Sequence, residues 1–466
     1  MARLDVRCKT RIPVIIIIKG QDRNFQSVTS NLGLGGAFIN SSFSLPENTQ
    51  VRLKAPLPDG EFEVDGKVLR KEEDGVAVKF LDIEEDTKSS LWEYIKQNLE
   101  KTACPFCGAS LPEENTRCSN CGMITDLAEP ESLEKYRSEQ IAVWSSMLDM
   151  ETTRFLDKMT EIEGQLESGT YEHDLILKRT HDALYDLVDF AVEFEIAVQN
   201  VELILEKREE FRNKTHYMLS KSYFMNHARV WPKGYQGDYK ILDGIYKNIP
   251  LSKGIGYYLD YHLLHSTLAK ACRGRLARSK EILEREFLRR KGLRLLDIGC
   301  GSCRDLFEMA EDIRDSDAWV TCIDIDEDAL RFSLNRLAYA GLGDQIKFRK
   351  YNVVRMINRE RNLREFGKQD IIYSTGVFNY LPDNLATDLI GSLYELLNPG
   401  GKLIIAFEDA GRYRIQVYTW PTKWDALIQR SETDCRALFE AAGFHKGALK
   451  MERDETGVIM FCILER

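Results

Sequence analysis

Leu295-Leu-Asp-Ile-Gly-Cys-Gly-Ser-Cys-Arg-Asp305 is the stretch that decides the fold of this chain. An apolar run ends in two glycines spaced by one residue, and a helical pattern follows. Asp297, Gly299 and Gly301 form a D-x-G-x-G turn, in which small residues let a ligand approach the backbone at the carboxyl edge of a strand. Downstream, Val320-Thr-Cys-Ile-Asp324 reads as a second buried strand ending in an acid, placed to hold a ribose diol.

Working outward, Ile346-Lys-Phe-Arg-Lys-Tyr-Asn352 reads as a third strand whose terminal Asn352 is placed to meet an adenine amine. Asp370-Ile-Ile-Tyr-Ser-Thr-Gly-Val-Phe-Asn-Tyr-Leu-Pro-Asp383 gives a fourth strand leaving towards the same edge. Leu396-Leu-Asn-Pro-Gly-Gly-Lys-Leu-Ile-Ile-Ala-Phe407 gives a helix end, a turn and a fifth strand. Runs near 446–451 and 456–464 supply a closing hairpin. Strands alternating with helical patterns imply a doubly wound, Rossmann-like α/β sheet with helices on both faces. Two cofactor classes use such a turn. A dinucleotide fingerprint wants a third glycine where this chain has Arg304, so the turn favours S-adenosylmethionine, which has no pyrophosphate to cradle.

Residues 291–466 as a whole resemble a class I S-adenosylmethionine-dependent methyltransferase. The resemblance implies Asp297, Gly299 and Gly301 at the cofactor turn, Asp324 at the ribose, Asn352 near adenine, and Ser374 and Gly376 along the methionine side. The ordinary alternative for Asp324 is a helix cap, a role that Glu327 or Asp328 could fill instead.

A length of 466 residues predicts two to four domains, and 43% hydrophobic content suffices for buried cores. The aliphatic run Val14–Ile18 is far too short to cross a bilayer, and no cationic leader precedes a small-residue cleavage site, so the chain is expected to be cytoplasmic. A net charge of -10 argues against a general nucleic-acid binder, whose affinity rests on Lys and Arg. Of eleven cysteines, four form Cys104-Pro-Phe-Cys107-Gly and Cys118-Ser-Asn-Cys121-Gly. Two such knuckles complete a tetrahedral thiolate set for Zn2+, structural because no position is left open for water. This predicts a short zinc ribbon at 101–126. The other cysteines, Cys8, Cys272, Cys300, Cys303, Cys322, Cys435 and Cys462, read as packing residues in a reducing compartment.

Residues 1–100 have the spacing of a small β-barrel, with strands near 13–19, 25–31, 36–40, 49–54, 61–71 and 75–80 and a helix at about 83–99. This segment resembles a PilZ domain, the bacterial receptor module for cyclic di-GMP. The residues that carry the likeness are Arg7-x-x-x-Arg11 and Asn31-Leu-Gly33-Leu-Gly-Gly36. Paired guanidinium forks suit a ligand with two phosphates and stackable guanine faces. Asn31 would contact a base edge, and Gly36 would let the backbone turn. Gly33 departs from the pattern, which has serine there. One lost hydroxyl contact weakens binding by on the order of 1 kcal/mol.

Residues 131–290 read as a helical linker and lid. Leu133–Glu167 and Tyr171–Phe211 carry apolar residues at helical spacing, and Ser168-Gly169-Thr170 breaks them apart. Two antiparallel helices or a coiled coil joining a homodimer both fit. Three further features follow: Arg229-Val-Trp-Pro-Lys-Gly-Tyr-Gln-Gly-Asp-Tyr239, an aromatic and glycine loop that is costly to order unless it packs on something; Arg273-Gly-Arg275; and Tyr418–Arg430. Together with the fourth-strand segment they resemble the bacterial methyltransferase family of 3-hydroxypalmitic acid methyl ester (extracellular factor) biosynthesis, over roughly 220–445. The resemblance implies a small or lipid-like carboxylate acceptor, and with the PilZ-like barrel on the same chain the activity is expected to be regulated by cyclic di-GMP. Such an acceptor is already ionised and needs a cationic clamp rather than a general base, with Arg273, Arg275 and Arg430 as candidates. Tyr235, Asp238, Tyr239 and Tyr380 would line the acceptor pocket or cover the cofactor. A cyclic di-GMP-responsive signalling adaptor, whose methyltransferase fold binds ligand or partner without catalysis, is the second reading. A nucleic-acid methyltransferase is the third, although the fourth strand ends Ser-Thr-Gly-Val-Phe-Asn-Tyr instead of the D/N-P-P-Y/F-like motif of amino methylation.

Overall fold

The computed structural model describes residues 7–19, 24–40, 45–46, 49–57, 60–72, 75–81, 83–99, 104 and 130–466. Cys107, Cys118 and Cys121 of the expected zinc ribbon lie outside these residues. The chain divides into two compact units, 1–151 with 190–207, and 152–189 with 208–466.

The first unit holds β1 (Arg7–Lys9), β2 (Pro13–Ile18), β3 (Asn24–Gly33), β4 (Gly36–Asn40), β5 (Gln50–Leu57), β6 (Gly60–Glu72) and β7 (Gly75–Leu81). The hydrogen-bonded order β3-β2-β5-β6-β7-β4 closes on itself through the β3–β4 pair, making a six-stranded antiparallel barrel with β1 added beside β3. The pleat sorts an otherwise uniform apolar run: Val14 and Ile16 are buried, while Ile15 between them is 37% exposed. The helix Glu85–Asn98 seals the barrel with Leu91, Trp92 and Ile95. Cys104 is buried in this same core.

Strand register brings part of the expected cyclic di-GMP motif together. Arg7 pairs with Gly33, and Gly33 pairs with Gly36, across three neighbouring strands. Asn31 pairs with Lys9 two positions along β3, and Arg11 is exposed between β1 and β2. Gly36 is extended backbone, not a bend. A Cβ there would meet the Val78 carbonyl oxygen at 2.4 Å, so the close β4–β7 approach requires glycine.

In the second unit, β8 (Arg294–Ile298), β9 (Trp319–Asp324), β10 (Ile346–Lys350), β11 (Gln369–Ser374), β12 (Leu397–Glu408), β13 (Leu449–Arg453) and β14 (Ile459–Glu465) form one sheet. Its order is β10-β9-β8-β11-β12-β14-β13. The first five strands are parallel, and β14 and β13 add the expected antiparallel hairpin. Alternate residues serve opposite faces, Leu295 in one apolar layer and Leu296 and Ile298 in the other. Strand order reverses between β8 and β11, which opens a crevice at their carboxyl ends.

The helical region contains Pro130–Glu167, His173–Val198 and Val201–Leu219. The expected break at 168–170 is present, with Gly169 at φ +73°, and a second one occurs at Gln199, φ 49°. Lys158 pairs with Asp186 and Arg179 with Glu161, so the first two helices run antiparallel within one chain. Among the described residues no helix is long and apolar enough to cross a membrane.

Candidate functional site

The crevice is built on the turn after β8. Gly299 has φ +73°, and a Cβ on it would fall 2.1 Å from Val377 Cγ2, so no other residue fits. Gly301 has φ +51°, and its amide donates to Asp324 Oδ2 at 2.9 Å. Asp324 Oδ1 accepts from the Asp326 amide, also at 2.9 Å. Each carboxylate oxygen keeps a lone pair for a further donor. Burial pushes the Asp324 carboxyl up, opposed by those two amides. The helix cap that competed for Asp324 belongs to Asp326, whose side chain accepts from Asp328 at the start of Glu327–Tyr339.

Other residues expected at the cofactor are placed unevenly. Asp297, Gly299, Gly301 and Gly376 line the crevice. Ser374 is buried and its hydroxyl donates to the Ile298 carbonyl at 2.9 Å, tying the end of β11 to that of β8, so that Thr375 faces the crevice in its stead. Asn352 is exposed at the end of β10 and caps the short helix Val353–Ile357 through Val354.

The loop at 229–239 packs on the 418–430 tract, which answers the cost of ordering it. Arg229 donates to the Pro421 carbonyl, and Gln236 bonds Lys423 and Ala426. Its other side reaches the segment beyond β9, where Tyr235 donates to Asp326 Oδ2 at 2.9 Å and Lys233 pairs with Asp328. Tyr239 packs on Phe332, with its Cβ 3.9 Å from the position a Cβ on Gly301 would take. Asp238 is buried and caps the helix Tyr239–Lys247. Burial would raise its carboxyl, but His227 Nε2 at 2.5 Å and two backbone amides hold it below the ordinary range. Asp238 is thus committed to its loop.

The three expected clamp arginines separate. Arg275 is 4% exposed and lines the crevice, with Nη1 3.8 Å from Glu408 Oε1 and Nε without a hydrogen-bond partner. Arg273 points elsewhere, donating to the Leu264 and Ile245 carbonyls. Arg430 donates to the Phe378 and Leu381 carbonyls and pairs with Asp383, holding the segment after β11 instead of lining the crevice. Tyr380 lies part-buried beside the 229–239 loop, its hydroxyl 2.9 Å from where a Cβ on Gly237 would sit. Burial raises its phenol, and the nearby Glu408 adds to this.

Two residues that the sequence reading passed over stand beside Arg275, one of them in the crevice wall. Tyr246 lines the crevice near Arg275. Glu408 ends β12, and its Oε2 is buried without a partner. Burial pushes its carboxyl up, while Arg275 opposes the rise. The rule that singled out Asp324, an acid closing an apolar strand, would have found Glu408 one residue beyond Phe407.

Comparison with known proteins finds two domain families along the chain. The methyltransferase domain family matches residues 289–447, and the PilZ domain family matches residues 2–97. Two domain matches therefore lie along the chain, a PilZ domain followed by a methyltransferase domain. No curated protein matches. Similar solved structures include a protein from Bordetella parapertussis described as a possible exported protein, at 22% identity over 53% of this chain and 84% of that one, TM-score 0.44. Magnesium protoporphyrin IX methyltransferase from Synechocystis PCC 6803 is 18% identical over 43% of this chain and 88% of that one, TM-score 0.33. The PilZ domain of CeSA from a cellulose-synthesising bacterium is 18% identical over 20% of this chain and 95% of that one, TM-score 0.18. These likenesses are remote, and none of those proteins' activities transfers to this chain.

Proposed function

We propose that the chain is an S-adenosylmethionine-dependent methyltransferase acting on a small or lipid-like carboxylate, with cyclic di-GMP as the ligand of its barrel. The observation that carries this reading is Arg275, a buried guanidinium with a free Nε in the same crevice as the glycine turn. A buried charge of this kind calls for an anion, and a carboxylate matches its fork.

The residues present fit the cofactor. Asp324 keeps lone pairs at the end of β9 for a sugar diol, and the turn at Gly299–Gly301 leaves backbone open to the crevice. When bound, S-adenosylmethionine supplies an activated sulfonium methyl. Arg275 would hold the acceptor carboxylate in line, while Tyr235, Tyr239 and the anchored 229–239 loop exclude water. Orientation and proximity then do most of the work. Glu408 Oε1 lies 3.8 Å from Arg275 Nη1, which leaves the Arg275 Nε free to meet the acceptor. The zinc ribbon at Cys104, Cys107, Cys118 and Cys121 remains part of the proposal as a structural element.

The test is methyl transfer from isotopically labelled cofactor to a panel of 3-hydroxy and unsubstituted fatty acids, with mass spectrometry of the products. Labelled methyl esters support the reading. Cofactor binding without any product would favour an adaptor, and label in nucleic acid would move the acceptor class.

A further inference from the structure

Three cysteines read from the sequence as packing residues converge at one point. Asp297 Oδ and the sulfurs of Cys300, Cys303 and Cys322 all lie within 4.8 Å of one another. Asp297 and Cys322 are paired neighbours on β8 and β9. Cys300 and Cys303 come from the turn that follows β8, and all four residues are buried. None of the three thiols is in a disulfide.

Cys303 has φ 43°, in the left-handed region where a side chain costs about 1–2 kcal/mol and glycine costs nothing. The chain nevertheless places a thiol there, directed at two others. We propose that Asp297, Cys300, Cys303 and Cys322 form a closed site for a thiophilic divalent cation, Zn2+ being the fitting chemistry. Zinc takes four-coordinate sets of thiolate and carboxylate, and a Zn–S bond of about 2.3 Å places sulfurs about 3.8 Å apart in a tetrahedron. The four ligand atoms need only a small contraction to reach that spacing. Arg336, whose Nη1 donates to the Ser302 carbonyl at 3.1 Å, brings positive charge beside the anionic set. Because Asp297 also lines the crevice, the bound ion would fix the turn on which the crevice is built. The site stands on this geometry alone and holds whether or not the chain transfers methyl groups.

The test uses the full chain, reduced, dialysed against Zn2+ and then against buffer, with zinc per chain measured by elemental mass spectrometry. Cys322→Ser is expected to lose one zinc per chain relative to wild type, separately from any loss caused by Cys107→Ser in the ribbon. Cys303→Gly guards against a folding failure, since it relieves the positive φ. It should lose the same zinc while melting higher than wild type when both are held in chelator. Unchanged zinc content in Cys303→Gly and Cys322→Ser would overturn the site. So would a wild-type chain that takes up no zinc beyond the part lost in Cys107→Ser.

Discussion

Glycines mark both proposed ligand edges of this molecule, for different physical reasons. In the barrel, Gly36 is demanded by packing, because any Cβ would strike the Val78 carbonyl at 2.4 Å. In the crevice, Gly301 is demanded by its positive φ, and the nearest atom to its missing Cβ is 3.9 Å away, so space remains. A glycine that closes a barrel says little about a ligand. A glycine that leaves backbone open at a topological switch point says a good deal more.

The contrast can be broken or sharpened by substitution. The largest effect is expected at the crevice. Arg275→Met should lower kcat/KM for a carboxylate acceptor by roughly 10²-fold, with cofactor affinity nearly unchanged in calorimetry. Asp324→Ala should do the reverse, weakening S-adenosylhomocysteine by about 10- to 100-fold, the worth of hydrogen bonds to a charged group. Equal effects of both substitutions on both constants would erase the division of roles.

Next come the glycines. Gly36→Ala should destabilise the barrel by about 1–3 kcal/mol through overpacking, seen as an earlier denaturant transition without any ligand present. Gly301→Ala should cost only about 1 kcal/mol of fold stability yet weaken the cofactor more than Gly36→Ala does. In the barrel, Gly33→Ser restores the hydroxyl of the PilZ pattern and should tighten cyclic di-GMP by about 5-fold, equivalent to about 1 kcal/mol.

The smallest effect is electrostatic. Glu452 on β13 is partly buried, which would raise its carboxyl, but Arg285 and Lys450 hold it down to about 2. A depressed folded-state value stabilises above the ordinary carboxylate range and is lost as pH falls towards 2. Glu452→Gln should therefore melt a few degrees lower than wild type at pH 7, and the gap should narrow below about pH 4.5 and close near pH 2. Asp65 on β6 is also held down to about 2, by Arg52 and Lys19, but its side chain is 31% exposed, well above the 9% of Glu452. Asp65→Asn should scarcely shift the melting curve, because solvent screens exposed pairs.

Most of the fold was legible because its signals are local. The five parallel strands, the closing hairpin and the six barrel strands each announce themselves by period and turn residues. What escaped depends on direction and on distant pairing. Arg273 and Arg275 read as one clamp, but residues two apart on a helix do not share a face, so only Arg275 reaches the crevice. Arg430 read as a free cation and is bound up in loop carbonyls. The break at Gln199 carries no glycine or proline to signal it. The thiol cluster needs Cys322 to lie beside Asp297 across a parallel strand pair, a register that no local pattern states.

The central claim is that the crevice after β8 receives the methyl donor, and a crystal structure of the full chain with S-adenosylhomocysteine tests it most directly. The account predicts the ribose hydroxyls on the Asp324 carboxylate and the amino-acid end beside Gly299 and Gly376. A nucleoside bound on any other surface, or a crevice still filled by protein side chains at saturating ligand, would contradict it.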